Sequence, residues 1–229
     1  MTIIDNLFHS SFFVVIPVYN EEKNIGPVIE RIKKYTDNII VVDDGSQDQT
    51  YNRAEKAIGN GVILKHQINI GKGAALKTGC EAAIKLGAKI IVMMDGDGQH
   101  DSDDIPKLVT KLKNENLDIV FGSRMMDKNI PFIRASGNKI ITKTVNLLSR
   151  LSLNDILSGF KALTDKTYRK IIWETQDYFV ETEIAMNVGK YGLKYAQVPI
   201  KTIYKDNYKG LDVISGIKII FKLLKFKLR

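Results

Sequence analysis

The chain has 229 residues, of which 44% are hydrophobic, enough to fill one sizeable α/β core. A net charge of +8 and a pI near 9.3 point to an anionic partner, while the lone cysteine, Cys80, excludes a disulfide framework. No apolar run approaches the ~20 residues that span a bilayer and no secretory signal pattern opens the sequence, so an intracellular, non-integral protein is expected.

Apolar, β-branched runs at 12–18, 38–43, 62–66, 89–95 and 118–122 read as strands. Segments of helical period lie between them at 22–34, 50–58, 73–86 and 103–116. This alternation predicts βαβ units and a doubly wound, mainly parallel sheet. Beyond residue 122 it loosens into a helix over 136–151, a turn over 154–159, a helix near 182–191 and a strand over 195–204. With no repeat, linker or low-complexity stretch, residues 1–229 read as a single domain.

Ligands of such sheets bind beyond the carboxyl ends of the strands, and here those ends are polar. The first run is followed by Tyr19-Asn20-Glu21-Glu22, the second ends in Asp43-Asp44-Gly45-Ser46, and the fourth in Asp95-Gly96-Asp97-Gly98-Gln99-His100. Two carboxylates one residue apart at a strand end face the same way. Magnesium takes one or two protein carboxylates and completes its shell with water and substrate phosphates, so Asp95 and Asp97 are candidate ligands for a metal that holds a diphosphate. The same D-G-D also serves as an ordinary turn. A phosphatase of the haloacid dehalogenase type carries D-x-D after a strand too, but here the segment follows the fourth strand, after another acidic strand end. An EF-hand starting at Asp95 fails, because His100 occupies its glycine position and Pro106 its final glutamate position.

The segment Asn69-Ile70-Gly71-Lys72-Gly73 either offers N–H groups and a lysine to phosphate or is a plain helix-start turn. It lacks the spacing of a P-loop, and Leu76 stands where a dinucleotide fingerprint needs glycine. His9, His66 and His100 are far apart with no cysteine partner, which argues against zinc. There is no G-x-S-x-G elbow, and Cys80 reads as a buried helical residue.

Taken in order, Val15-Ile16-Pro17-Val18-Tyr19-Asn20-Glu21, Val42-Asp43-Asp44-Gly45-Ser46, Asn69-x-Gly71-Lys72-Gly73, Asp95-x-Asp97-x-Gln99 and Gly122-Ser123-Arg124 resemble the motifs of the inverting family-2 glycosyltransferases. Asp155-x-x-Ser158-Gly159-Phe160-Lys161, Glu181-Thr182-Glu183 and Val198-Pro199-Ile200 are similar to the branch of dolichyl-phosphate mannose and polyprenyl-phosphate glucose synthases. The resemblance spans roughly residues 12–205.

It implies a GT-A fold with a Rossmann-like sheet, a UDP- or GDP-linked sugar donor, a polyprenyl or dolichyl phosphate acceptor and no nucleic acid partner. It further implies that Pro17, Tyr19, Glu21 and Asp43 hold base and ribose, with Asp44 and Lys72 nearby. Asp95, Asp97 and Gln99 match the positions that hold Mg²⁺ or Mn²⁺ and the diphosphate. Arg124 and Arg134 match basic residues that neutralise donor or acceptor phosphate, and with Ser158 and Lys205 they are the expected acceptor-phosphate contacts, although Lys205 stands where arginine is expected and Tyr208-Lys209-Gly210 replaces a G-x-S. Asp97, Arg124 and Asp155 are the expected catalytic residues, Asp155 orienting the acceptor or taking a proton or, on turn chemistry alone, serving only as a turn carboxylate. A phosphate monoester with a second pKa near ~6 is already largely dianionic at neutral pH and needs no strong base. A saccharide or protein hydroxyl acceptor needs one, and a non-catalytic nucleotide-sugar-binding or membrane-scaffolding protein would not need the D-x-D at all.

Much of the positive charge lies late in the chain, which disfavours nucleic acid as the partner. Lys218, Lys222, Lys225 and Arg229 form one helical stripe beside Ile217, Ile220, Phe221, Leu224 and Leu228. The pattern suits a basic amphipathic helix over 211–229 lying on an anionic membrane surface, or a helix docked on the sheet with a solvated basic edge. With a lipid-linked acceptor, peripheral attachment to the cytoplasmic face of a membrane is expected.

Overall fold

The computed structural model describes residues 12–124 and 132–203, the side chains of 132–136 excepted. Lys205, the side chain of Arg134 and the expected helix over 211–229 therefore lie outside the described residues.

The first half alternates strand and helix: β1 (Phe12–Val18), α1 (Ile25–Ile32), β2 (Ile39–Asp43), α2 (Thr50–Ile58), β3 (Val62–Lys65), α3 (Lys72–Lys85), β4 (Ile90–Met93) and α4 (Ile105–Asn114). Then follow β5 (Ile119–Arg124), α5 (Phe132–Ser149), β6 (Lys161–Thr164), α6 (Asp165–Lys170), α7 (Val180–Lys190) and β7 (Tyr195–Ile200). The strands form one sheet in the order β3-β2-β1-β4-β6-β5-β7. Only the two pairings of β6, with β4 and with β5, are antiparallel among the described strands.

Every residue of β1 is buried because helices cover both faces of the sheet. Successive side chains point to opposite faces, so Phe13 and Val15 enter one core layer while Phe12, Val14 and Ile16 enter the other. The first layer is closed by Leu76 and Cys80 of α3, Val145 of α5 and Ile184 of α7. Ile29 of α1, Ala54 of α2 and Leu108 of α4 close the second. Each fully buried Val, Ile or Leu contributes about 1.5–3 kcal/mol. This two-sided core fixes the strand ends that carry the polar segments.

The structure departs from the sequence reading in β6, in the short helix α6, which was not expected, and in the ends of α5 and β7. The strand β6 was not expected, since Lys161-Ala162-Leu163-Thr164 is short and opens on a lysine; it is identifiable only from its antiparallel pairing with Ile90–Met93 and with Phe121. Its direction brings its first residues, and the 155–160 segment before them, to the carboxyl ends of β4 and β5. Helix α5 begins at Phe132 instead of 136, and β7 stops at Ile200, where the chain turns so that His100 bridges Thr202.

Candidate active site

The polar edge is built from loops that tie one another down. Glu21 N–H donates to Thr50 Oγ1 at 2.7 Å, Asn20 N–H to Ser46 Oγ at 2.9 Å, and Gln47 N–H to Asn20 Oδ1 at 2.9 Å. Tyr19 is thereby left at the rim, 42% exposed, while Pro17 is buried within β1. Asp43, at the end of β2, is fully buried; its Oδ1 accepts from Ser46 N–H at 2.9 Å. Its Oδ2 has no hydrogen-bond donor among the described residues, with the Lys65 ammonium 4.0 Å away. A buried carboxylate oxygen without a donor is costly, so an N–H group arriving from a ligand is favoured there.

Asp44 has a different task from the one its motif implies. Its carboxylate accepts from Gly71 N–H at 2.7 Å and Ile70 N–H at 3.0 Å and meets His66 Nδ1 at 2.7 Å. With those contacts made, Asp44 holds the 69–73 loop instead of facing a ligand. The glycines of that loop are explained by close packing. A Cβ on Gly71, whose φ is +118°, would lie 2.5 Å from the Gln176 carbonyl oxygen, and one on Gly73 would run into the Thr175 carbonyl. Ala74 N–H donates to Gln176 at 3.2 Å and the Trp173 indole donates to the Gly73 carbonyl at 2.8 Å. The glycines therefore serve the 173–177 segment, and the phosphate-cradle reading of Gly71-Lys72-Gly73 gives way to a lysine aimed into the site from a fixed backbone.

That lysine reaches Asp95. Lys72 Nζ lies 2.6 Å from Asp95 Oδ1 and 2.6 Å from Glu181 Oε1. Burial opposes ionisation of Asp95, yet the charge of Lys72 outweighs it and brings the carboxyl down to about 2. Asp97 goes the other way: burial and the neighbouring Asp95 push it up to about 6, although Gln99 N–H donates to its Oδ1 at 2.9 Å. Two carboxylates one residue apart, Asp97 raised beside Asp95 and Asp95 held by Lys72, are a donor pair that suits a divalent cation. Among the described residues no group of three or more His, Cys, Asp or Glu side chains is arranged to hold a metal. The protein's share of any shell here is accordingly sparse.

Below the pair, Gly159 is pressed against the Asp95 carboxylate, leaving no room for a side chain at 159. His100 stacks on Phe160 with ring centroids 5.1 Å apart and takes the Asp95 N–H on Nδ1 at 3.4 Å, so the proton of the neutral ring sits on Nε2. Burial lowers its pKa to about 4, so it supports the strand end as a neutral ring.

Arg124 and Asp155 close the other side. The guanidinium grips the carboxylate through Nε to Oδ2 at 2.6 Å and Nη2 to Oδ1 at 2.9 Å, and Arg124 N–H adds a third bond to Oδ2 at 3.2 Å. Burial would raise Asp155, but these contacts win and lower it. A carboxylate so engaged is a poor proton acceptor, and in this arrangement Asp155 orients Arg124. Ser158, expected at the acceptor phosphate, lies inside the turn before β6. It is 2% exposed, its hydroxyl accepts from Phe160 N–H at 3.3 Å, and its carbonyl accepts from the Lys161 ammonium, so it shapes the turn under the site.

Two residues here had no assigned role in the sequence reading. Lys161 is buried at the start of β6, 5.8 Å from the Phe121 ring centroid, and burial lowers its pKa to about 8. Glu181 is buried at the start of α7. A lysine opening an apolar strand and a glutamate in a helix's first turn were the available signals.

Comparison with known proteins bears on this geometry. Residues 13–172 match the model of the family described as glycosyl transferase family 2. The chain is 36% identical to the UDP-N-acetylglucosamine–dolichyl-phosphate N-acetylglucosaminyltransferase of Methanococcus voltae, over 94% of this chain and 96% of that protein. It is 30% identical to the dolichol-phosphate mannosyltransferase of Pyrococcus furiosus, over 93% of this chain and 64% of that one. In fold it resembles the glucosyl-3-phosphoglycerate synthase of Mycobacterium tuberculosis solved with Mn²⁺, UDP-glucose and phosphoglyceric acid. The TM-score there is 0.77 at 22% identity, over 98% of this chain and 83% of that one.

Proposed function

The chain belongs to glycosyl transferase family 2, and from that premise we propose that it transfers a sugar from a nucleoside-diphosphate donor to a polyprenyl or dolichyl phosphate at a membrane surface, with inversion. The observation that carries this reading is that Asp43 and the Asp95–Asp97 pair lie at the carboxyl ends of β2 and β4, the two strands that flank β1, on the edge where α/β sheets bind nucleotides. The lipid-phosphate acceptor is supported by the relatives' names and by the engagement of Asp155 with Arg124.

Asp43 Oδ2 offers an acceptor to an N–H edge of the base, with Tyr19 at the rim beside it. Asp95 and Asp97, with Gln99 next to them, would hold Mg²⁺ or Mn²⁺, which when bound offsets the charge that grows on the departing diphosphate. Arg124, fixed by Asp155, presents a guanidinium suited to phosphate. An incoming phosphate monoester is its own nucleophile, so the residues need only orient it on the face opposite the leaving group. A hydroxyl acceptor would call on Asp155 as base, and that carboxylate is lowered and occupied.

No helix among the described residues is long and apolar enough to cross a membrane. Attachment through the basic helix expected over 211–229, on the cytoplasmic face, accords with a lipid-linked acceptor. The test is a screen of UDP- and GDP-sugars against a short-chain polyprenyl phosphate, read by mass spectrometry. A glycosyl phospholipid product is expected; transfer only to free saccharides would overturn the acceptor assignment.

A further inference from the structure

Lys72 stands between two carboxylates that belong to different parts of the fold. Its partnership with Glu181 is the rigid one. Lys72 is the first residue of α3, and that start is fixed by the Trp173 indole on Gly73, the Ala74–Gln176 hydrogen bond and the Asp44 clamp on Ile70 and Gly71. Glu181 sits in the first turn of α7, where Glu183 accepts from Glu174 N–H at 2.9 Å and Thr175 N–H at 3.0 Å, locking the same 173–177 segment. Asp95 lies just beyond the end of β4, outside this locked unit.

A cation within 2.6 Å of Asp95 Oδ1 stands where a metal ligated by that carboxylate would be repelled. The ammonium on its flexible stem can leave Asp95, but a displaced buried ammonium without a partner is strongly disfavoured. Glu181 removes that cost. Its Oε1 has no hydrogen-bond donor among the described residues apart from the close Lys72 charge.

We propose that Lys72 is the resident cation of Asp95 in the metal-free protein, exchanged for a divalent ion, and that Glu181 is the positioning residue that keeps the ammonium when the metal arrives. This rests on the reading of Asp95 and Asp97 as metal ligands. Lys72 thereby balances the paired carboxylates before the donor binds and remains beside the diphosphate afterwards.

The test titrates the full-length chain with Mn²⁺ alone, following free Mn²⁺ by electron paramagnetic resonance. Lys72→Met should bind about tenfold tighter than the unaltered chain, and Glu181→Gln several-fold weaker, within the usual range of coupling between sites. Because Glu181 acts through Lys72, the double variant should match Lys72→Met. It also removes the Glu181 charge that Lys72→Met alone would leave buried without its cation, so it carries the comparison if Lys72→Met does not fold. Unchanged or weaker binding in the double variant overturns the proposal, as does a loss on Glu181→Gln that persists without Lys72. If the unaltered chain takes up no Mn²⁺ even with a nucleoside diphosphate present, the metal reading itself falls, a different failure.

Discussion

Asp155 grips Arg124 with both carboxylate oxygens, across 31 residues of sequence, and so holds the guanidinium in place; on the proposed function it is the mount of a phosphate-binding arginine and not a base. If that is its work, Asp155→Asn should weaken acceptor binding and lower turnover by about 10²-fold while leaving the shape of the pH–rate profile unchanged. A base would instead remove the acidic limb of that profile. Steady-state kinetics at several pH values separates the two.

Arg124→Lys keeps the charge but loses the planar fork that matches both Asp155 and a phosphate. Its expected effect is a rise of about tenfold or more in KM for the lipid phosphate, with little change in KM for the donor. Equal rises for both substrates would place Arg124 on the donor side.

Asp95 and Asp97 should have opposite effects on the stability of the metal-free fold. Asp97 is raised to about 6, so the folded chain holds a proton the unfolded chain has released, and its favourable contribution disappears as pH rises through that value. At pH 7.5 in EDTA, Asp97→Asn should raise Tm by about 3 °C. Asp95 is lowered to about 2, so its contribution is present above the ordinary carboxylate range and vanishes only as pH falls toward that value. Asp95→Asn at pH 7.5 should therefore lower Tm, by about 3 °C or more. Calorimetry of both variants in EDTA checks the signs.

The packing of the 69–73 loop on the 173–177 segment gives a further expectation. Gly73→Ala drives a methyl group into the Thr175 carbonyl, a backbone atom that cannot move aside cheaply. A loss of about 2–3 kcal/mol follows, measurable by urea unfolding. If the loop were only a phosphate cradle, stability would be nearly unchanged and donor binding alone would suffer.

Much of this was legible in the sequence, for physical reasons. β1, β2 and β4 are continuous apolar runs because both faces are covered, and their acidic ends follow directly. The strand β6 was hidden because its partners are remote in sequence and its first residue is a buried lysine. Side-chain roles that depend on long-range pairing were hidden for the same reason. Asp44 reads as a ligand until Ile70 and Gly71 are seen to occupy it, Ser158 until its burial is seen, and Glu181 has no visible task until Lys72 is beside it. Motif order carries the family, but local spacing does not reveal which carboxylate is already engaged.

If Asp95 and Asp97 hold a divalent ion against the donor diphosphate, sugar transfer to a polyprenyl phosphate should collapse in the Asp95→Asn/Asp97→Asn double variant. A fall of about 10³-fold or more is expected, with circular dichroism unchanged, and an equal loss in the unaltered chain on EDTA treatment that Mn²⁺ or Mg²⁺ reverses. Undiminished transfer by the folded double variant, or transfer insensitive to EDTA, would contradict it.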